Sequence, residues 1–438
     1  VVYYRLKHTK GGNVFGGGMG RLTKLDNKTY LQYWKDMGKA RSTKVTIGDA
    51  TIKSCVYGGG ELGQVEGYRT IHNCIGEDMK AGTEVVLKSG ATIGKEIMEG
   101  NTSTVKYTFG SVFGGGYGST VEEIKFGDVT TNPKLDAGLV KEDTRVDMQG
   151  GLVLASVYGG GEVASIKGST DVSVSAGTVG KDKVGTTQFG GATMGNVYGG
   201  GSGYKDIVRA GHIWGNTNVL VSQAESKTTR IYHNIYGGGA YGTVGDFDYH
   251  YTTSAEGYSG ISKVDGVNSC VANTGKATVT VTGGTIGVDG KENGMVFGSS
   301  RGDVGGQHDL WLAWVNNTNV VIGKADHTGP TIKGSVYGSG ENGHVFNNTE
   351  VEVHGGTIGF YLATDVVKDA NGKVTKDYNT TRGNVYGGGC GEDTYLTGAK
   401  AGQYEPSAGI VYGTTKVSIL VLNGINRLPL VSRNVVIL

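Results

Sequence analysis

The sequence predicts an all-β fold, a parallel β-helix or β-solenoid built from about nine repeats of roughly 40 residues with loop insertions. Three observations predict it. A β-branched residue, an aromatic and a glycine recur together nine times. Between these copies lie segments in which valine alternates with polar residues at period two, the mark of a half-buried strand. Glycine supplies 81 of the 438 residues and proline only 4, yet 24 tyrosines and abundant Val, Ile and Thr argue against a disordered glycine linker.

The recurring triplets are Val14-Phe15-Gly16, Val56-Tyr57-Gly58, Val112-Phe113-Gly114, Val157-Tyr158-Gly159, Val197-Tyr198-Gly199, Ile235-Tyr236-Gly237, Val296-Phe297-Gly298, Val336-Tyr337-Gly338 and Val385-Tyr386-Gly387. Seven continue to Gly-Gly-Gly, and two relax to Gly298-Ser299-Ser300 and Gly338-Ser339-Gly340. Val411-Tyr412-Gly413 reads as a tenth, partial copy. Successive aromatics stand 38 to 61 residues apart, as a fixed unit with insertions would place them. Eight residues after the aromatic comes Val65, Val121, Ile166, Val244 or Val345, so register persists beyond the glycines.

The second half-motif has the form Thr-x-Val-x-Val followed by Gly-Gly-Thr-Ile-Gly. Copies run from Thr83 to Gly94, Thr170 to Gly180, Thr278 to Gly287 and Thr349 to Gly359, with looser versions starting at Thr43, Thr144, Thr217, Thr318 and Thr415. Two half-motifs per unit suggest two turns of about 20 residues each, stacked at about 4.8 Å, and a rod on the order of 80–90 Å long. The β-branched residue is expected to point inward and its aromatic neighbour to the opposite face. Tyr and Phe alternate freely there, which suggests a stacking ladder in which the hydroxyl is dispensable. Each glycine costs about 0.5–1 kcal/mol relative to Ala, so three in succession suggest positive φ at a tight corner. Insertions at 66–82, 95–108, 122–143, 181–195, 246–275, 302–317 and 360–382 are expected to project as loops. Residues 1–412 then form the repeats, and 413–438 a C-terminal cap or end segment.

Composition limits the function classes. A net charge of +1 gives no basic patch for nucleic acid. The apolar run from Ile419 to Leu438 is broken by Asn423, Asn426, Arg427, Pro429 and Arg433, so no membrane span is expected. The chain opens on Val1 and reads as a processed product or fragment, which makes a missing signal peptide uninformative. Cysteines at 55, 74, 270 and 390 form no CxxC pair. Buried free thiols are expected, with a Cys55–Cys74 bridge between neighbouring turns as the alternative.

Candidate sites each face a blander reading. Gly-Gly-Gly-x-x-Gly is followed by a strand rather than a helix, so a structural corner outweighs a phosphate cradle. There is no aspartate ladder of the calcium-binding GGxGxD type. Glu61, Glu162 and Glu341 share one offset after the corner, where paired carboxylates for glycoside hydrolysis compete with a solvated edge, the stronger reading. Arg301-Gly302-Asp303 is an integrin-type tripeptide of a kind that chance supplies. Trp311 and Trp314 are speculative sugar contacts, set against packing of their insertion onto the rod. The histidines, among them His72, His212, His233 and His354, have no metal spacing, and no catalytic residue or cofactor site is assigned.

The Asn/Ser-Val-Tyr-Gly-Gly-Gly corners (Ser156 to Gly161, Asn196 to Gly201, Asn384 to Gly389) and the Val-x-Gly-Gly-Thr-Ile-Gly strands (Val281 to Gly287, Val353 to Gly359) carry a resemblance. Over about residues 11 to 413 the chain resembles the VYGGG-repeat, adhesin-like secreted surface proteins of anaerobic gut bacteria. The resemblance implies a β-helix and an extracellular or cell-surface location, and it carries over no catalytic residue. The expected function is an extracellular structural or adhesive rod displaying loops to glycans, to host or bacterial surfaces, or to copies of itself. The alternative is a polysaccharide-active β-helix enzyme, a lyase or glycoside hydrolase.

Overall fold

A computed structural model describes residues 11–20, 37–66, 82–98, 105–120, 124–126, 129–131, 136–181, 194–204, 207–252, 263–289, 293–302, 312–326, 328–359, 366–377, 383–391 and 409–420. The chain is a parallel β-solenoid. Nine two-residue strands, from Val14–Phe15 and Val56–Tyr57 to Val336–Tyr337 and Val385–Tyr386, pair in chain order, all parallel. Their register is strict, with Val or Ile on Val or Ile and ring on ring. The Thr-x-Val-x-Val segments and the Thr-Ile segments that follow them build a second, 15-stranded parallel sheet.

Each repeat contributes one strand to the aromatic ladder and one Thr-x-Val-x-Val strand to the second sheet. A unit is therefore one coil and not the two expected. The two half-motifs form two walls of the same turn instead of two stacked turns. Successive ring centroids are 4.6–5.0 Å apart, so nine coils rise roughly 40 Å, half the expected length.

Alternation builds the core directly. In Thr144–Val153 and Thr170–Val179 every second residue is buried through the first seven positions. These inward valines meet the column Val56, Val112, Val157, Val197, Ile235, Val296, Val336 and Val385 in one continuous hydrophobic core. The rings form a second core and Val65, Val140, Ile166, Ile213, Val244 and Val315 a third. Val121 lies outside the described residues. Val140 takes its place in the third column, because that coil's insertion falls before the rung rather than after it. Val411 pairs with Val345 in this same column, so Val411-Tyr412-Gly413 is not a tenth aromatic corner. Thr415–Ile419 pairs with Thr349–Val353, and the ladder runs past residue 412.

The corner glycines correct a second expectation. None of them has a φ in the left-handed region. What requires glycine is the closeness of the coils. A Cβ on Gly58, Gly114, Gly159 or Gly199 would lie 2.1–2.2 Å from a carbonyl oxygen of the next coil. The Thr that opens the second-sheet strand also donates to the first corner glycine's carbonyl, at 2.5–2.6 Å from Thr43, Thr83, Thr144, Thr170, Thr217, Thr318 and Thr349. Positive φ is found instead at the end of the Thr-Ile-Gly segments, as at Gly94 and Gly287.

Among the described residues, four insertions contain two-stranded antiparallel ribbons: Lys95–Met98 with Val105–Phe109, Ile124–Phe126 with Val129–Thr131, Phe247–Thr252 with Lys263–Cys270, and Val366–Lys368 with Val374–Asp377. The 302–317 segment differs, since its Trp314–Val315 pairs in parallel with His344–Val345 and belongs to the coil wall. Residues 67–81 and 182–193, in two further expected loops, lie outside the described residues.

Candidate functional site: the tyrosine–glutamate ladder

Chemistry concentrates along the aromatic ladder. Its nine rings stack within 13° of parallel, and those from Tyr57 to Phe297 are fully buried. The Ser or Asn that opens all the corner motifs but those at Cys55 and Met295 has a definite task. Its side-chain oxygen accepts a backbone N–H of the next coil, as in Cys55 to Asn13 (3.0 Å), Asn196 to Ser156 (3.1 Å), Asn234 to Asn196 (3.0 Å) and Met295 to Asn234 (2.9 Å). These bonds extend the ladder one residue beyond the two-residue strands.

Two glutamates close over the ring edges. The Tyr57 hydroxyl donates to Glu162 Oε2 at 2.5 Å, and the Tyr236 hydroxyl to Glu341 Oε2 at 2.5 Å. Each bond spans two coils, and in each case the ring between is a phenylalanine, Phe113 or Phe297. A Phe rung carries no hydroxyl, which leaves the carboxylate a path past it. The hydroxyl is thus engaged at Tyr57 and Tyr236, where the sequence reading took it as dispensable.

Glu162 is only 4% exposed, so it does not sit on a solvated edge. Glu341 also pairs with Arg301, whose Nε is 3.1 Å away and whose Nη1 donates to the Tyr241 hydroxyl at 3.3 Å. Glu61 is half-buried in the same column, bridged through its backbone to Met19 and Tyr117. Burial, reinforced by the neighbouring carboxylate, pushes the Tyr57 and Tyr236 phenols well above their ordinary range, so they stay protonated donors. Desolvation likewise raises the Tyr158 and Tyr198 phenols. These charge-assisted bonds act as ties between coils. At Glu162 the carboxylate faces a phenol and not the solvent.

The remaining sequence candidates separate. Trp314 is fully buried, packed with Phe247, Tyr249, Leu312 and Phe346, so its ring offers no open face. Trp311 and Asp303 lie outside the described residues, and Arg301 of the tripeptide is held by Glu341. Cys55, Cys270 and Cys390 stand outside any disulfide, the first buried and the other two only half-buried, while Cys74 and His72 fall outside the described residues. His212 is buried with Nε2 2.8 Å from the Gly245 carbonyl, and burial, with Arg209 nearby, lowers its pKa to about 3. His233, 2.5 Å from Asn196 Oδ1, is lowered by burial to about 4. His354 lies 3.1 Å from Glu352.

Sequence reasoning passed over Trp214. Its half-buried ring carries the Lys167 ammonium 3.5 Å from its centroid, and the signal was available because both residues immediately follow a third-column residue. A shallow cleft of about 340 Å³, with Gln223, Thr282, Lys324 and Thr331 in its wall, opens beside the second sheet. Among the described residues no group of three His, Cys, Asp or Glu is placed to hold a metal. Among them also, no helix is long and apolar enough to cross a membrane.

The fold and its buried ties define a repeat protein of the parallel β-solenoid class. No family model, curated protein or solved structure matches the chain.

Proposed function

We propose that the chain is an extracellular structural or adhesive scaffold, a rigid solenoid that displays its insertions for contact with glycans, cell surfaces or other copies of itself. The observation that carries this reading is where the variable sequence goes. The ladders pass from coil to coil in register, while four insertions leave the walls as antiparallel ribbons. A scaffold that keeps its core and varies its ribbons is suited to binding at the surface. The resemblance to adhesin-like surface proteins supports the same location.

A glycan array probed with the purified chain tests the reading, followed by binding to intact bacterial and host cells. Glycan or cell binding that drops when residues 253–262 are replaced by a short turn is the expected result. Absence of binding on both platforms overturns the adhesive part. The enzyme alternative predicts release of reducing sugar or unsaturated product from a bound polysaccharide. Its carboxylates would have to lie elsewhere than the Tyr57–Glu162 tie, which is closed to solvent.

A further inference from the structure

Each residue that directly follows the third column turns away from the core, so these residues line the outer side of that wall coil by coil. In successive coils they are Glu66, Lys141, Lys167 and Trp214, set by the bridges from Val65 through Val140 and Ile166 to Ile213. Glu66 is doubly paired, with Lys39 3.1 Å and Lys141 2.7 Å from its two carboxylate oxygens. Lys167 has no such partner. Among the described residues it forms no ion pair, and its ammonium rests 3.5 Å from the centroid of the Trp214 ring.

Arg209 adds an independent observation. Its φ of 66° lies in the left-handed region, which an arginine rarely adopts. Ser165 Oγ reaches the Arg209 carbonyl at 3.4 Å, which sets this backbone beside the coil that carries Lys167. The guanidinium carbon stands 5.3 Å from the centroid of the Tyr249 ring, and Nε is buried with no hydrogen-bond partner. Arg209 is close enough for its charge to act on both Lys167 and His212. Asp246 and Asp136 also act on Lys167, yet neither pairs with it. Two like charges are therefore held near each other, each resting on an aromatic ring instead of a carboxylate. A ring offsets less of a cation's charge than a carboxylate does. Burial, with the Arg209 charge added and Asp246 opposing, holds the Lys167 ammonium below its ordinary range.

We propose that Lys167 and Arg209, with Trp214 beside them, form a binding site for the acidic group of an oligosaccharide, a carboxylate or a sulfate. Lys167 is exposed and Trp214 half-buried, so the ammonium is within reach of a ligand from solvent. An anion placed between the two cations relieves their mutual repulsion and gives the guanidinium fork a partner. The indole already holds the ammonium in place, which lowers the entropy lost on binding. The inference rests on the glycan-binding part of the proposed function and names the class of glycan.

Two features narrow the ligand. Lys141, one coil away, is engaged by Glu66, so the site meets a single acidic unit rather than a long polyanion. The half-buried indole offers an apolar surface next to the charges, which favours a sugar ring bearing an acidic group over a bare inorganic anion. The chain as a whole carries a net charge of only +1, so the attraction is local. At an exposed site it is screened by salt, and binding weakens as salt rises.

Calorimetric titration of the full chain tests this, with trigalacturonate as the carboxylate arm and a heparin tetrasaccharide as the sulfate arm. Maltotriose is the neutral control and polyglutamate the acidic peptide control. Binding of at least one acidic sugar, weakening with salt, is expected. Lys167→Gln and Arg209→Gln each weaken it roughly three- to ten-fold, whereas Lys53→Gln, exposed elsewhere, leaves it unchanged. The bound anion also raises the Lys167 pKa, read by nuclear magnetic resonance of its ammonium. Lys167→Gln alters only an exposed side chain, so it decides alone if Arg209→Gln fails to fold. Acidic sugars that bind both variants as tightly as the parent chain overturn the site and leave the scaffold reading standing. The same holds if acidic sugars fail to bind while other glycans or cells do. Polyglutamate binding as tightly as the sugars overturns the glycan assignment, and a chain that binds no glycan and no cell overturns both readings.

Discussion

Gly159→Ala is the sharpest test of why the corners are glycine. The added methyl would stand 2.1 Å from the Gly199 carbonyl oxygen, 2.9 Å from Val172 Cγ2 and 3.0 Å from Thr170 Cβ. An ordinary carbon–oxygen contact is at least about 3.3 Å, so the two coils must part locally by about 1 Å. Three bonds run through that seam: Gly159 N to the Tyr198 carbonyl at 2.9 Å, Gly160 N to the Gly200 carbonyl at 3.1 Å, and Thr170 Oγ1 to the Gly199 carbonyl at 2.5 Å. At about 1 kcal/mol for each bond, plus about 1–3 kcal/mol of overpacking, the substitution costs about 4–6 kcal/mol. The lowered entropy of the unfolded chain returns only about 0.4–1 kcal/mol. Stacked repeats open piecemeal, so the readout is native-state amide exchange at Val157–Tyr158 and Val197–Tyr198 rather than a single unfolding midpoint. Gly48→Ala is the control, because nothing lies within 4 Å of its Cβ position, and it shifts local opening by less than about 0.5 kcal/mol. If Gly159→Ala matches that control, close coil approach is not what the corner glycines serve.

Tyr57→Phe removes the phenol that donates to Glu162 and destabilises neighbouring coils by about 1–3 kcal/mol; adding Glu162→Gln recovers part of the loss, measured as coupling in a double-mutant cycle. Phe113→Tyr places a hydroxyl where Glu162 crosses the ladder and costs about 1–3 kcal/mol by the same exchange measurement, whereas a neutral outcome would mean that the Phe rung is not a needed gap. The raised phenols of Tyr57, Tyr158, Tyr198 and Tyr236 contribute stability that is complete below the unfolded tyrosine pKa of about 10 and is lost as pH rises above it. Ultraviolet titration should accordingly show exposed tyrosines ionising first and the ladder ionising together with alkaline unfolding. His212 and His233, lowered to about 3 and about 4, are neutral in the folded chain, so their stabilising effect is full above pH of about 6.5 and declines as pH falls toward those values. Imidazole signals that stay untitrated between about pH 5 and about pH 8 in the native state check the point.

The fold class was legible because two periods coexist in the sequence. Valine alternation at period two marked the strands, and Val-Tyr-Gly at intervals of 38 residues or more marked the rungs. The number of turns per unit was not legible. Two strand-like half-motifs fit either two small coils or two walls of one large coil, and only the pairing of Val56 with Val112, a full unit away, decides between them. The third column was partly legible, since a fixed offset finds Val65, Ile166 and Val244 but fails where an insertion precedes the rung, as at Val140 and Ile213. The glycine corners were found for the wrong reason. A run of glycines looks the same in sequence whether it serves positive φ or close approach, and the difference lies in the coil above.

The tyrosine–glutamate ties explain how a stack of similar coils holds a single order. Nearest-neighbour stacking is nearly indifferent to sequence when every rung offers Val, an aromatic ring and glycine, so it leaves slipped pairings close in energy. A bond that spans two coils breaks that degeneracy. Tyr57 reaches Glu162 past Phe113, and Tyr236 reaches Glu341 past Phe297. Slipping a coil sets the buried Glu162 against Phe113 or Phe15, rings with no hydroxyl, and a buried charge without its donor is costly. The Phe rungs at 113 and 297, which look like noise in the repeat, each lie beneath one of these ties.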